Sequence, residues 1–120
     1  MIEIILYTLL LYFLQLFLPV TLKRKMKEEM FLRSRRATEN LKESLPIFLA
    51  LAILSIILDV KSNTMVAFFW LLLRVIFAVI YISGFNLKPG NEFGHQAQPL
   101  RSFVWALSIV ALFDMAFNFF

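Results

Sequence analysis

The chain predicts an all-α membrane protein, a bundle of four transmembrane helices. Three observations carry this expectation. Of its 120 residues, 61% are apolar, and the mean hydropathy of +0.80 is too high for a water-soluble domain of this size. It holds fourteen phenylalanines and only three glycines, without the short alternating segments that a membrane β-barrel needs. Four apolar stretches follow one another, at 4–22, 44–58, 64–87 and 102–120. A span takes roughly 20 residues. One membrane domain over residues 1–120 is expected, with spans near 3–22, 30–59, 64–86 and 100–120.

The first stretch carries no charge, and Met1-Ile2-Glu3 supplies neither a basic leader nor a following small-residue cleavage site. It is read as a retained span. Pro19 near its end marks a local kink or a helix end. The second stretch is short, so its helix must begin upstream, within the charged region. Pro46 then falls inside that helix, where neighbours can satisfy the freed carbonyl and a bend can wrap a cavity. The third stretch holds one charge, Arg74, and the fourth holds Asp114. Between the third and fourth lies the one segment with loop chemistry, 84–99, including the turn signal Pro89-Gly90-Asn91. It reads as a solvated connector. His95 within it reads as a loop residue, since no acidic or histidine cluster accompanies it, and no metal site is expected.

The net charge of +4 is unevenly placed. Lys23, Arg24, Lys25, Lys27, Arg33, Arg35, Arg36 and Lys42 crowd the first connection and the helix after it. The second connection has only Lys61 beside Asp59, and the third has Lys88 and Arg101. The positive-inside rule puts the first and third connections in the cytoplasm and both termini outside. The basic run is a topology signal and a headgroup contact rather than a nucleic-acid site. There is no cysteine, so disulfides and a protein thiol nucleophile are excluded, and thiol chemistry needs a thiol from the substrate.

A polar seam runs through this apolar chain. At about 100° per residue, Arg33, Arg36, Asn40 and Glu43 share about 80° of one helix face. Arg35, Glu39 and Lys42 form a neighbouring stripe that reads as a solvated, self-paired surface. Arg74 and Tyr81 are two turns apart on the third span. Counted along the helix axes, Tyr81 comes level with Asn40, and Arg74 lies about one and a half turns deeper than Glu43. A Glu43–Arg74 ion pair is expected, with Asp114 as the rival partner. Arg101 follows Pro99-Leu100 at the start of the last span, where the helix dipole adds positive potential and a nearby thiolate would be favoured. Ionisable groups at membrane depth are functional candidates by default. Three arginines on such a seam suggest a pocket for an anionic ligand.

The segment from Arg33 to Phe48, with Arg36-Ala37, Asn40, Glu43, Pro46 and Phe48 in order, resembles the second-helix signature of the MAPEG family, the membrane-associated proteins in eicosanoid and glutathione metabolism. Trp70 to Arg74, with Tyr81 beyond, is similar to its third helix. Pro99-Leu100-Arg101-Ser102-Phe103-Val104-Trp105 is similar to the start of its fourth. The resemblance covers residues 33 to 105 with the right order and span count. It implies a left-handed four-helix bundle that assembles as a homotrimer, with sites between subunits, here of prokaryotic type in a bacterial inner membrane. It implies glutathione as co-substrate, its thiol joined to a lipophilic electrophile from the bilayer or used to reduce lipid hydroperoxides. By position Arg33, Arg36, Asn40, Glu43, Arg74 and Tyr81 would bind the tripeptide. Arg101 would stabilise the thiolate with Ser102 assisting. The chemistry agrees: glutathione offers two carboxylates for arginine forks, an ammonium for Glu43 and a thiol that must ionise to attack.

This chain departs from the family pattern in a short first connection, a long third one, and Thr38 and Leu41 at positions often polar or basic in the enzymes. The alternative reading is a non-catalytic lipid-binding or scaffold member of the same fold. A small four-span multidrug exporter ranks last, because such exporters rely on a glutamate inside the first span and 4–22 contains none.

Overall fold

The computed structural model describes residues 1–22, 28–85 and 98–120. The basic run 23–27 and most of the third connection, with its turn signal and His95, lie outside the described residues. Four helices follow one another: α1 (Ile2–Leu22), α2 (Glu28–Ile57), α3 (Ser62–Ser83) and α4 (Pro99–Phe117). All four are long and apolar enough to cross a membrane. The second helix is 30 residues long because its charged N-terminal part continues without a break into the apolar stretch. Pro46 lies inside it and Pro19 lies inside α1, and both helices continue past them.

The packing order is set by small residues. α3 packs most extensively on α4, then on α2, and α1 rests mainly on α2. Among the described residues the backbones of α1 and α4 do not approach one another closely. Ala52, Ala67 and Ala111 are buried at the crossings, where a short side chain lets backbones approach. Phe48 of α2 stacks on Trp70 of α3 with ring centroids 4.0 Å apart and planes 6° from parallel. Met115 and Leu112 of α4 and Leu41 of α2 complete this cluster. Leu41, one of the departures from the family pattern, is thus a core residue. The result is a slab of 46 × 29 × 17 Å. Its long axis matches a bilayer with headgroups, roughly 40–45 Å. Its thinness leaves most large apolar side chains on the outside, where lipid or another chain can cover them.

Three hydroxyl groups inside the bundle turn back onto their own helices, whereas the buried Ser34 hydroxyl has no partner among the described residues. Thr8 donates to the Ile4 carbonyl at 2.7 Å, Ser55 to Leu51 at 2.7 Å and Ser108 to Trp105 at 2.6 Å. Without water to bond, this is the cheapest satisfaction available. Thr38 does more. Its hydroxyl sits between the carbonyls of Ser34 at 2.9 Å and of Gln15 at 2.8 Å, and so staples α2 to α1.

The turn between α2 and α3 has a defined cap. Asp59 takes the left-handed conformation, φ 55°, which a short polar side chain tolerates. The Val60 amide reaches the Ser55 carbonyl at 2.9 Å and the Asp59 amide reaches Ile56 at 3.3 Å, the paired bonds of a Schellman end. At the other end of α3 the left-handed residue is Gly84, φ 72°. α4 starts as its Pro99 predicts, with Gln98 extended before it.

At the end of the bundle that carries the α2–α3 turn, Asn63 is fully buried and joins three helices. Its amide nitrogen donates to Ser55 Oγ at 2.9 Å and to the Met115 carbonyl at 3.0 Å. Its oxygen accepts from Asn118 Nδ2 at 2.7 Å. Nothing local marks Asn63 in the sequence, where a single asparagine at a helix start resembles a cap. Replacing Asn63 with leucine removes all three bonds and leaves Asn118 without its acceptor. Stability should fall by about 1–2 kcal/mol, read as a lower unfolding midpoint in detergent, with ligand binding at the opposite end of the bundle unchanged.

Candidate functional site

At the other end of the bundle, where the first and third connections attach, the polar seam is assembled by three helices. Arg74 of α3 is only 1% exposed. Its Nη2 donates to Asn40 Oδ1 of α2 at 2.8 Å. Its guanidinium carbon lies 4.6 Å from the Phe77 ring centroid. Nε and Nη1 donate to nothing among the described residues. Phe77 meets Tyr81 edge to face at 5.6 Å. The Arg101 guanidinium of α4 lies over the Tyr81 ring, 4.0 Å from its centroid. Ala37 of α2 and Val104 of α4 close the apolar side of this cluster. A continuous line therefore runs Asn40, Arg74, Phe77, Tyr81, Arg101, crossing from α2 to α4.

Helix periodicity explains why these side chains meet. Arg74, Phe77 or Ala78, and Tyr81 recur at three and four residues and form the buried stripe of α3. Arg101, Val104 and Ser108 do the same on α4. Arg101 also sits in the first turn of α4, where amide groups without intrahelical partners add positive potential. Arg36 lies within electrostatic range of Arg101. Arg33 is buried, and its Nε donates to the Ile82 carbonyl at 3.3 Å near the end of α3.

Two expected members sit elsewhere. Glu43 is exposed, and the expected Glu43–Arg74 ion pair does not form; Asn40 takes the guanidinium instead. The reason is angular. On the shared arc Asn40 faces α3, whereas Glu43 is rotated about 60° further round and points out of the bundle. Glu43 remains close enough to act on Arg74 electrostatically. Asp114, the rival, is exposed on α4 and forms no ion pair with Arg74 either. Ser102 is also exposed; its backbone amide donates to the Gln98 carbonyl at 2.8 Å, within the first turn of α4.

The stripe of Arg35, Glu39 and Lys42 corrects the sequence reading. These side chains are exposed but not self-paired; among the described residues the one ion pair is that of the Met1 ammonium with Glu3, at 3.8 Å. Instead they border a cavity of about 540 Å³ between α2 and α1, whose other wall is Tyr12, Leu16, Pro19 and Val20. Thr38 lies at its floor. The local signal is Pro19, whose missing N–H frees the Gln15 carbonyl that Thr38 takes, but only the crossing of α1 and α2 gives the groove depth. Among the described residues no group of three or more histidine or acidic side chains could hold a metal ion.

Four apolar helices enclosing a cross-helix line of arginine, asparagine and tyrosine define an integral, multi-pass membrane protein with a polar site built between its spans. A family model described as the MAPEG family matches residues 4–120. The chain belongs to that family, over essentially its whole length. No curated protein and no solved structure matches it.

The Asn40–Arg74 bond can be isolated by a double-mutant cycle. Asn40→Leu strands a buried guanidinium and should lower stability by about 1.5–3 kcal/mol, the range for bonds to charged groups. Arg74→Met alone should cost little, since a buried charge is often replaceable by an apolar side chain of similar volume. The double variant has no guanidinium to strand, so it should recover most of that loss and be more stable than Asn40→Leu by at least about 1 kcal/mol. Additive losses, within about 0.3–0.5 kcal/mol, would mean the two side chains do not interact.

Proposed function

We propose that the protein is a glutathione-dependent membrane transferase or peroxidase acting on lipophilic electrophiles or lipid hydroperoxides. Membership of the family supports this class of chemistry, and the observation that carries the reading is the line from Asn40 through Arg74 and Tyr81 to Arg101. It sets two buried guanidinium groups from different helices along one path, with a third, Arg36, close to Arg101. Glutathione has the matching pattern: two carboxylates, an ammonium and a thiol.

In this reading Arg33, Arg36, Asn40, Arg74 and Tyr81 bind the tripeptide. Arg74 brings uncommitted N–H groups on Nε and Nη1, which can each donate to an anionic oxygen of the ligand. Glu43, at the mouth of the seam, takes the ammonium. Arg101 holds the sulfur as thiolate, helped by the helix start on which it stands. Ser102, one residue on, assists by donating its hydroxyl once glutathione brings the sulfur near. In a transfer the sulfur forms the new bond to carbon, and the leaving group departs with the electron pair of the bond that breaks. The apolar partner arrives laterally from the bilayer. The active form is a homotrimer, the basic connections face the cytoplasm, and both termini lie outside, in a bacterial inner membrane.

Glutathione binding by calorimetry and conjugation of a model electrophile test this reading in the detergent-solubilised protein. Arg101→Ala should lower kcat by about 100-fold, the scale for removing one group that stabilises developing charge, while glutathione affinity changes by less than about threefold. The thiolate absorbance of bound glutathione should disappear in the same variant. Binding without turnover in the wild type would favour the non-catalytic lipid-binding reading, and absence of glutathione binding would remove both the cofactor and the site.

A further inference from the structure

The seam makes no use of the groove between α1 and α2. Three charged side chains, Arg35, Glu39 and Lys42, border it, and Tyr12 and Leu16 of α1 stand on its other wall. At about 540 Å³ it has the volume of a small-molecule site. Arg35 with Glu39, and Glu39 with Lys42, have the four- and three-residue spacings at which charges on a helix pair. Neither pair forms among the described residues. The three charges are left bordering a cavity instead.

Their placement is specific. Around α2, Arg35 and Lys42 fall within about 20° of each other and about 10 Å apart along the axis. Glu39 lies between them in height, about 40–60° further round. That is the side away from Thr38, which bonds to α1. Two cations thus bracket a position for one anionic group, with a carboxylate beside it. Counted from Ile57, Lys42 lies about 22 Å in, Glu39 about 27 Å and Arg35 about 33 Å. A hydrocarbon core of about 30 Å then ends between Glu39 and Arg35. Lys42 starts inside that core, and its stem snorkels towards the boundary, since helix side chains tilt towards the N-terminus. All three charged ends collect at headgroup level.

Deeper in, the groove gives way to an apolar strip. Tyr12 and Leu16 are followed on α1 by the half-buried Ile5, and α2 continues as the half-buried Leu49. The bond from Thr38 to the Gln15 carbonyl fixes the register of the two helices, and brings Ile5 about level with Leu49. Glu39 to Leu49 is about 15 Å, half of the core and hence the depth of one leaflet.

The geometry points to a phospholipid site between α1 and α2, selective for a zwitterionic headgroup with a primary amine, a phosphatidylethanolamine. Its phosphate diester sits between Arg35 and Lys42, its ammonium donates to Glu39, and one acyl chain follows the strip from Leu16 to Ile5. Other headgroups match less of the pattern. A purely anionic one leaves Glu39 unmatched. A trimethylammonium group has no N–H to donate to the carboxylate. A soluble phosphate ester leaves the apolar strip uncovered. Because α1 rests mainly on α2, a lipid bound along both helices also holds α1 in place. The site shares none of its charged groups with the seam and does not depend on glutathione chemistry.

The full chain in nanodiscs of palmitoyl-oleoyl phosphatidylethanolamine, phosphatidylcholine and phosphatidylglycerol in equal parts tests this, with the lipids retained after transfer to mild detergent identified by native mass spectrometry. The wild type should retain phosphatidylethanolamine over each of the others by about tenfold, the scale of one charge-assisted hydrogen bond. Glu39→Gln should erase the preference over phosphatidylcholine while lipid is still held. Arg35→Gln/Lys42→Gln should lower total retention by about tenfold or more. Leu16→Trp, which fills the strip and leaves every charge in place, should do the same. All four positions are exposed, so these variants keep the packing of the bundle. Glycerophosphoethanolamine, the same headgroup without chains, should not displace the lipid. Equal retention of the three lipids by the wild type overturns the headgroup assignment. Retention that neither the double charge variant nor Leu16→Trp lowers overturns the site. A wild type that retains no lipid, and whose copies separate on Lys42→Gln, overturns it as well and gives the groove to a neighbouring copy.

Discussion

The bundle depends on making Arg74 tolerable. A charged side chain at membrane depth costs about 2.5–3.5 kcal/mol on insertion scales, and this one is almost completely buried. The hydrogen bond to Asn40 returns about 1.5–3 kcal/mol, and the Phe77 face about 0.5–2 kcal/mol. The two sides nearly balance, which is why the guanidinium can stay with part of its donor capacity uncommitted. Its position also dictates much around it. Asn40 must face α3, α2 must cross α3 at that height, and Phe77 and Tyr81 must line the same stripe. Tyr81 in turn supplies the surface on which Arg101 of α4 rests.

The two ends of the molecule solve the same problem differently. At the far end the amide nitrogen and oxygen of Asn63 are both partnered within the chain, and these bonds join α2, α3 and α4. At the seam end the polar groups are more numerous, more highly charged and incompletely matched. A closed network stabilises; an open one leaves donors for something else to satisfy. The contrast assigns structure to one end and chemistry to the other. The 17 Å thickness of the slab adds a further consequence. A sheet of helices this thin cannot bury both faces of α2, so the helix that carries the seam on one side must present its remaining charges outward on the other.

Helix number, helix order and the polar residues of the seam, though not Phe77 between them, were legible in the sequence, because apolar run length and a 3.6-residue period are local properties. Spacing alone put Arg33, Arg36, Asn40 and Glu43 on one arc and Arg74 with Tyr81 on another. An arc of about 80° is wide, however, and the sequence treats all of it as one face. Only the direction from which α3 approaches divides it, giving Asn40 to Arg74 and turning Glu43 outward. The same limit hid the role of Arg35, Glu39 and Lys42. Self-pairing at three- and four-residue spacing is a local expectation, whereas their position at the rim of a groove depends on where α1 lies.

By itself, then, the sequence determined which residues are polar at which depth, since hydropathy and rise per residue are additive along a chain. The tertiary structure decided which of those groups touch. Rotation of α2, α3 and α4 about their own axes is set by the packing of Ala52, Ala67, Ala111 and the Phe48–Trp70 stack, and these are contacts between residues distant in sequence. Asn40 rather than Glu43 for Arg74, and the Tyr81 ring for Arg101, are consequences of that packing.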